Sequence, residues 1–168
     1  LDETVFYEPE AWVFSSSIHL AVVLVDAETG RVTLRDYFAV DDSGRVINPM
    51  IVDGQLHGAI GQGAGQALIE LCAYDPTSGQ LLSGTFMDYG MPRASDFPSF
   101  RTGFQETLAP SNPLGVKGAG ESGTLGAPPA IVNATIDALA HIGLDHIDMP
   151  LTPDRVWGAL QRRKAPAP

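Results

Sequence analysis

Ile18-His19-Leu20-Ala21-Val22-Val23-Leu24-Val25, then Asp26-Ala27-Glu28-Thr29-Gly30, then Val32-Thr33-Leu34-Arg35-Asp36-Tyr37-Phe38-Ala39-Val40, is the stretch that decides the fold class. Two runs rich in β-branched and aromatic residues flank a five-residue loop ending in glycine, which is the pattern of a β-hairpin. Upstream, residues 1–17 show no period and carry Phe6, Tyr7, Trp12 and Phe14, so they predict an irregular arm with exposed aromatics. Downstream, Asp41-Asp42-Ser43-Gly44 and Asn48-Pro49 mark a loop.

A helical period then sets in. From about Gly54 to Cys72 a helix is expected, with Leu56, Ile60, Ala64, Ala67, Leu68 and Leu71 on one apolar arc. Gly54, Gly58, Gly61 and Gly65 fall on a second arc, and Gln55, Gln62 and Gln66 on a third beside it. Glycine inside a helix costs about 1 kcal/mol relative to alanine, so four on one face imply close approach of something to the backbone. Tight packing of helix on strand is the simpler source; a flat ligand with a glutamine at its edge is the sharper one.

Tyr74 to Leu82 suggests a second, short hairpin, and Phe86 to Pro98 a loop with one helical turn. Phe100, Thr102, Phe104 and Glu106 alternate towards Leu108 as a half-buried strand. A second helix is expected over about Pro128–Ile142, with the proline pair at its start and Gly143 past its end. A third opens at Thr152-Pro153 and turns Val156, Trp157 and Leu160 inward. Residues 1–168 thus read as one α+β domain, in which β-hairpins and a short mixed sheet pack against about three helices.

Composition narrows the partners. A net charge of −10 excludes the basic face that nucleic acid requires. No apolar run approaches membrane-spanning length, and the single cysteine, Cys72, rules out an internal disulfide; both fit a cytoplasmic protein. The residues charged at neutral pH are only 18% of the chain, low enough that other protein is expected to cover part of the surface. Of two lysines, Lys164 lies in the tail Arg162–Pro168, which reads as a solvated end, and Lys117 in the most unusual stretch of all.

That stretch is Gly115-Val116-Lys117-Gly118-Ala119-Gly120-Glu121-Ser122-Gly123-Thr124-Leu125-Gly126. Bare backbone just before a helix presents N–H groups, and a carboxylate held there can have its orientation set by the fold, as a general base requires. Residues 118–123 also satisfy G-x-G-x-x-G, the dinucleotide fingerprint. Pro110 and Pro113 argue against a strand before it and a helix starting at Pro128 comes too late, so that reading is set aside. An ordinary solvated glycine-rich loop is the remaining alternative.

Gly115 to Glu121, followed by Gly126-Ala127-Pro128-Pro129-Ala130 and an apolar helix, resembles the C-terminal signature of the xanthine oxidase family. Within it, the sequence is most similar to large subunits of aerobic carbon monoxide dehydrogenases and to bacterial aldehyde and N-heterocycle hydroxylases. Val40 to Gln55, Met87 to Pro92 and Asp148 to Pro153 resemble three further blocks of that family, in the right order. The resemblance implies the last domain of a molybdopterin-binding subunit, incomplete on its own and inactive alone. It implies a molybdopterin, in bacteria the cytosine dinucleotide form, whose pocket other parts of the subunit complete. Glu121 stands where the family has its general base, which takes the proton from the oxygen nucleophile on molybdenum. Gln62, Lys117, Gly118, Ala119 and Gly120 stand where the family approaches the cofactor, and no side chain is implied as a metal ligand. Iron–sulfur and FAD groups are expected on other subunits, in an assembled complex that dimerises, with no membrane. The substrate class stays open between aldehyde, N-heterocycle and carbon monoxide. A non-catalytic assembly or binding domain of the same ancestry is the alternative, which retention of Glu121 disfavours. Ser43 departs from the cysteine of many relatives, at a position read as structural.

The remaining candidates have plainer readings. His57 is expected to be a packed core histidine, Cys72 a small apolar group closing a helix, and Trp157 core. His19, His141 and His146 show no metal-ligand spacing.

Overall fold

Strict alternation builds the sheet. The structure of the protein, a computed structural model, describes residues 2–6, 8 and 11–164. Strand β1 (Ser16–Val25) pairs antiparallel with β2 (Val32–Asp42), from Ser16↔Asp42 to Val25↔Val32, with one bulge between Val22 and Val23. The hairpin loop is held by Asp26, whose carboxylate accepts from the Glu28 N–H at 2.9 Å and the Thr29 hydroxyl at 2.7 Å. Gly30 closes it with φ +74°, and a side chain there would collide with the Pro153 carbonyl. Strand β3 (Phe100–Phe104) adds parallel to β2, so the sheet is mixed, in the order β1-β2-β3. Phe6, Trp12 and Phe14 are exposed and irregular as expected; Tyr7 and residues 165–168 lie outside the described residues.

One face of the sheet carries the core. Tyr37 and Ala39 of β2 lie under helix α1 (Pro49–Leu68) and helix α2 (Ser122–Leu139) with Leu56, Ile60, Ala64, Ala67, Ala127 and Ile131. Helix α3 (Pro153–Lys164) contributes Val156 and Leu160 and meets the hairpin tip at Gly30. The architecture is the expected α+β one with three helices. Among the described residues no helix is long and apolar enough to cross a membrane.

Several local expectations are corrected. Helix α1 starts at Pro49 rather than Gly54, because Asn48 is its N-cap, its Oδ1 accepting from the Ile51 N–H at 3.2 Å with Pro49 at the first position. It ends at Leu68, which leaves Leu71 and Cys72 exposed beyond it. Helix α2 starts at Ser122, six residues before Pro128, and passes through Pro128 and Pro129; a 3-10 turn, Ala140–Ile142, then leads to Gly143. Trp157 is 46% exposed. His57 sits edge-on to Phe100 with its Nε2 3.4 Å from Thr102 Oγ1, at the margin of the core rather than inside it. The second hairpin reduces to one antiparallel bridge, Tyr74↔Leu81.

The glycine arc of α1 also resolves differently along its length. Gly61 meets Phe97, and Gly65 is packed by Pro92 and Glu70, but Gly54 and Gly58 face open space. Close helix contact is made instead by Gly63, where a Cβ would lie 2.9 Å from Ala127 Cβ, and by its counterpart Gly123, where one would lie 2.8 Å from the Ile60 nitrogen.

Candidate active site

The last residues of β2 anchor the glycine-rich loop. Asp42 accepts from the Gly44 N–H at 2.9 Å, the Thr107 N–H at 3.0 Å and the Lys117 ammonium at 3.0 Å. Both side chains of this ion pair are nearly buried, 13% exposed for Lys117 and 12% for Asp42. Burial disfavours the Asp42 carboxylate, but those N–H groups and the ammonium hold its pKa well below the usual carboxylate range. Lys117 is therefore committed to Asp42, not solvated in its loop. Gly44 bridges Val116, the Lys117 N–H donates to Ser43 O at 2.8 Å, and Asn112 clamps Val116 through both its backbone groups at 3.0 and 3.1 Å.

Beyond Lys117 the loop is free of such ties. A Cβ on Gly118 or on Gly120 would meet nothing within 4 Å. Glu121 is the N-cap residue of α2 (φ −123°, ψ −6°); its side chain caps nothing and is exposed, while its carbonyl accepts from the Leu125 N–H at 3.2 Å. The turn it leads into is fixed: Gly123 abuts α1 and the Thr124 hydroxyl donates to Ala59 O at 3.3 Å. A free carboxylate on an immobile helix terminus, beside open backbone, faces a cleft of about 700 Å³ bounded by Phe14, Ser17, Gly118, Ala119, Gly120 and Leu125.

Gly118, Ala119, Gly120 and Glu121 are thus brought together at one cleft. Gln62 is exposed on α1 and does not line it, although it lies between Ala59 and Gly63, the positions that touch Thr124 and Ala127. Because helix α2 begins at Ser122, a helix does open within residues 118–123; what the dinucleotide reading lacks is a strand before them, where there is only the single bridge at Val116. Among the described residues no group of three His, Cys, Asp or Glu could hold a metal ion.

Asp41 and Asp42, expected in a loop, instead end β2, and Asp41 is a buried polar group behind this cleft. Asp41, 1% exposed, has its pKa raised by burial; the Ser122 hydroxyl, near enough to favour the charged form though not bonded to it, and His19 act against the shift. His19 exchanges hydrogen bonds with Tyr37 Oη at 2.9 Å and Ser17 Oγ at 3.0 Å, and burial lowers its pKa. Gly126 is pressed against its ring. Asp41 Oδ1, Ser43 Oγ and Ser122 Oγ have no hydrogen-bond partner among the described residues. A period-two reading marks Tyr37, Ala39 and Asp41 as one face of β2, and that was the available signal for Asp41 as a core acid.

The domain that carries this cleft has known relatives. A family model described as "Molybdopterin cofactor-binding domain" matches residues 1–98, and the chain belongs to that family, as it occurs in molybdenum oxidoreductases. The chain is 39% identical over 161 residues to the carbon monoxide dehydrogenase large chain of Hydrogenophaga pseudoflava, which covers 96% of this chain and 20% of that one. Among solved structures it is similar to quinoline 2-oxidoreductase from Pseudomonas putida 86, with TM-score 0.83 and 46% identity over 86% of this chain and 18% of the other. It is also similar to carbon monoxide dehydrogenase from Oligotropha carboxidovorans, with TM-score 0.84 and 34% identity over 88% and 18%. The chain therefore spans about a fifth of the length of the relatives it matches. Residues 99–168, which include Glu121, lie outside the family-model match, whereas the alignment with the large chain covers 96% of this chain.

Proposed function

We propose that this chain is the part of a molybdenum hydroxylase that carries its general base, Glu121, and one wall of the molybdopterin site. The observation that carries the reading is the Glu121 carboxylate: exposed, uncapped, on a helix start fixed by Gly123 and Thr124, at a cleft walled by bare backbone. The open backbone of Gly118 and Gly120 suits close approach of a flat group, and their N–H groups suit its anionic parts. When bound, the cofactor supplies two-electron redox chemistry with water as the oxygen source. Glu121 accepts the proton released as that oxygen attacks an electron-poor substrate carbon. Ala119 shares the wall with its two glycines, Gln62 contributes from the flank of α1, and Lys117 acts by pinning the loop to Asp42. The substrate is an aldehyde, an N-heterocycle or carbon monoxide. The remainder of the molybdenum subunit completes the pocket, the cofactor is the cytosine dinucleotide form, and iron–sulfur and flavin subunits take the electrons in a cytoplasmic, dimeric complex.

The test is Glu121→Gln in the assembled enzyme. Gln keeps the size of the side chain but cannot take a proton, so turnover per bound molybdenum should fall about 10²- to 10⁴-fold while molybdenum content stays near the parental level. Parental turnover per molybdenum in the variant removes Glu121 from the mechanism.

A further inference from the structure

Strand β1 is an edge strand, because the sheet order is β1-β2-β3. From Ile18 to Val25 it reads Ile-His-Leu-Ala-Val-Val-Leu-Val, with no lysine, no acidic residue and no proline along its length. Natural sheets blunt such edges with charge, proline, bulges or a covering segment, since a long apolar edge pairs with any extended chain that reaches it. The one irregularity in the pairing, the extra residue Arg35 opposite Val22 and Val23, lies on β2, so among the described residues β1 itself carries no such device. Both faces of the strand are left incomplete as well. The outward residues Ile18, Leu20, Val22 and Leu24 are 77%, 58%, 39% and 53% exposed. The inward ones, His19, Ala21, Val23 and Val25, are only partly buried, although they face α2. Beside them run two clefts of about 470 and 440 Å³ that share Val23 and Ala138, so they form one groove along the strand, floored by Ala130, Ala134 and Ala138 of α2 with Asn133, Asp137 and His141 at its side.

We infer that β1 is completed by an added strand: an extended, alternating apolar segment from the part of the molybdenum subunit that lies outside this chain. It pairs with the free edge of β1 and places its alternate side chains in the groove over α2. The inference rests on the proposed function only in taking this chain as a fifth of a longer subunit, the share it spans in its relatives. That share leaves some four-fifths of a subunit to supply the segment. A second copy pairing edge to edge is the competing occupant, and a charge of −10 on each copy opposes it.

The experiment uses the assembled subunit. Amide hydrogen exchange over residues 18–25 should be about 100-fold or more slower than in an unstructured peptide of the same sequence, and comparable with β2, because both edges of the strand are then paired. Exchange of every second β1 amide at that unprotected rate means an open edge and overturns the inference. To identify the occupant, a photoreactive benzoylphenylalanine is placed at Leu24, far from Glu121. An adduct to a segment outside residues 1–168 supports the inference; an adduct to another copy of these residues, or none, overturns it. Neither readout depends on turnover, so the added strand and the role of Glu121 stand or fall separately.

Discussion

Asp42 and Lys117 show how one residue's environment decides its part. A lone lysine in a glycine-rich loop suggests a charge held out to an anion, yet its ammonium is spent on a buried carboxylate at the end of β2. Lys117→Met keeps the length of the side chain and removes the charge, leaving Asp42 ionised and unmatched. The chain should lose about 3 kcal/mol, read as a lower urea midpoint. The pH dependence follows from the same carboxyl. Its folded pKa lies below the unfolded value of about 3.9, so its contribution is complete above that value and is lost as pH falls below it. Asp41 has the opposite sign: its pKa is raised, so the fold gains from its protonation as pH falls. In an Asp41→Asn background the urea midpoint should therefore fall steeply below about pH 4, and adding Asp42→Asn should flatten that limb. An unchanged slope between the two backgrounds would mean that Asp42 is not the group responsible.

At the scale of elements, what the sequence disclosed were its periodicities. Two β-branched and aromatic runs around Asp26–Gly30 marked the hairpin, and Leu56, Ile60, Ala64 and Ala67 marked the buried face of α1. Boundaries failed where one residue type has two meanings. Asn48-Pro49 reads as loop punctuation, but the same pair caps and opens a helix. Pro128-Pro129 reads as a helix start but lies about two turns inside α2, which deprives the Thr124 and Leu125 carbonyls of their usual donors. That error displaced the start of the helix from Glu121, and with it the geometry of the candidate base. The glycines divide in the same way, since a wheel reports which share a face but not what lies opposite. Gly123→Ala would press a methyl against the Ile60 nitrogen, Ala59 Cβ and Leu56 O, and should destabilise the chain by about 1–3 kcal/mol. Gly58→Ala meets nothing within 4 Å and should stabilise the chain alone by about 0.5–1 kcal/mol through lower unfolded-state entropy. Thermal unfolding of both variants checks the pair. Equal effects of the same sign would contradict the contact assignment.

For the molecule as a whole, the question is how much of a cofactor site these residues supply. A pocket for a ligand of that size buries most of the ligand's surface, whereas the cleft at Glu121 has walls on the loop, the arm and the start of α2 only. Its charge is also wrong for an anionic guest. The chain carries −10 overall, no Lys or Arg lines the cleft, and Lys117, next to Gly118 in the chain, is paired with Asp42. Backbone N–H groups at Gly118 and Gly120 can hydrogen-bond a phosphate or a pterin edge, but they cannot neutralise it in the presence of the Glu121 carboxylate. Relatives about five times as long have the chain length to supply what is missing. The chain purified alone should therefore hold well under one molybdenum per molecule, even when expressed in cells that make the cofactor. The same residues within a complete subunit should approach one. Elemental analysis of both preparations decides it: about one molybdenum per isolated chain would mean that the loop, the arm and α2 form a sufficient site, and that the charge argument is wrong.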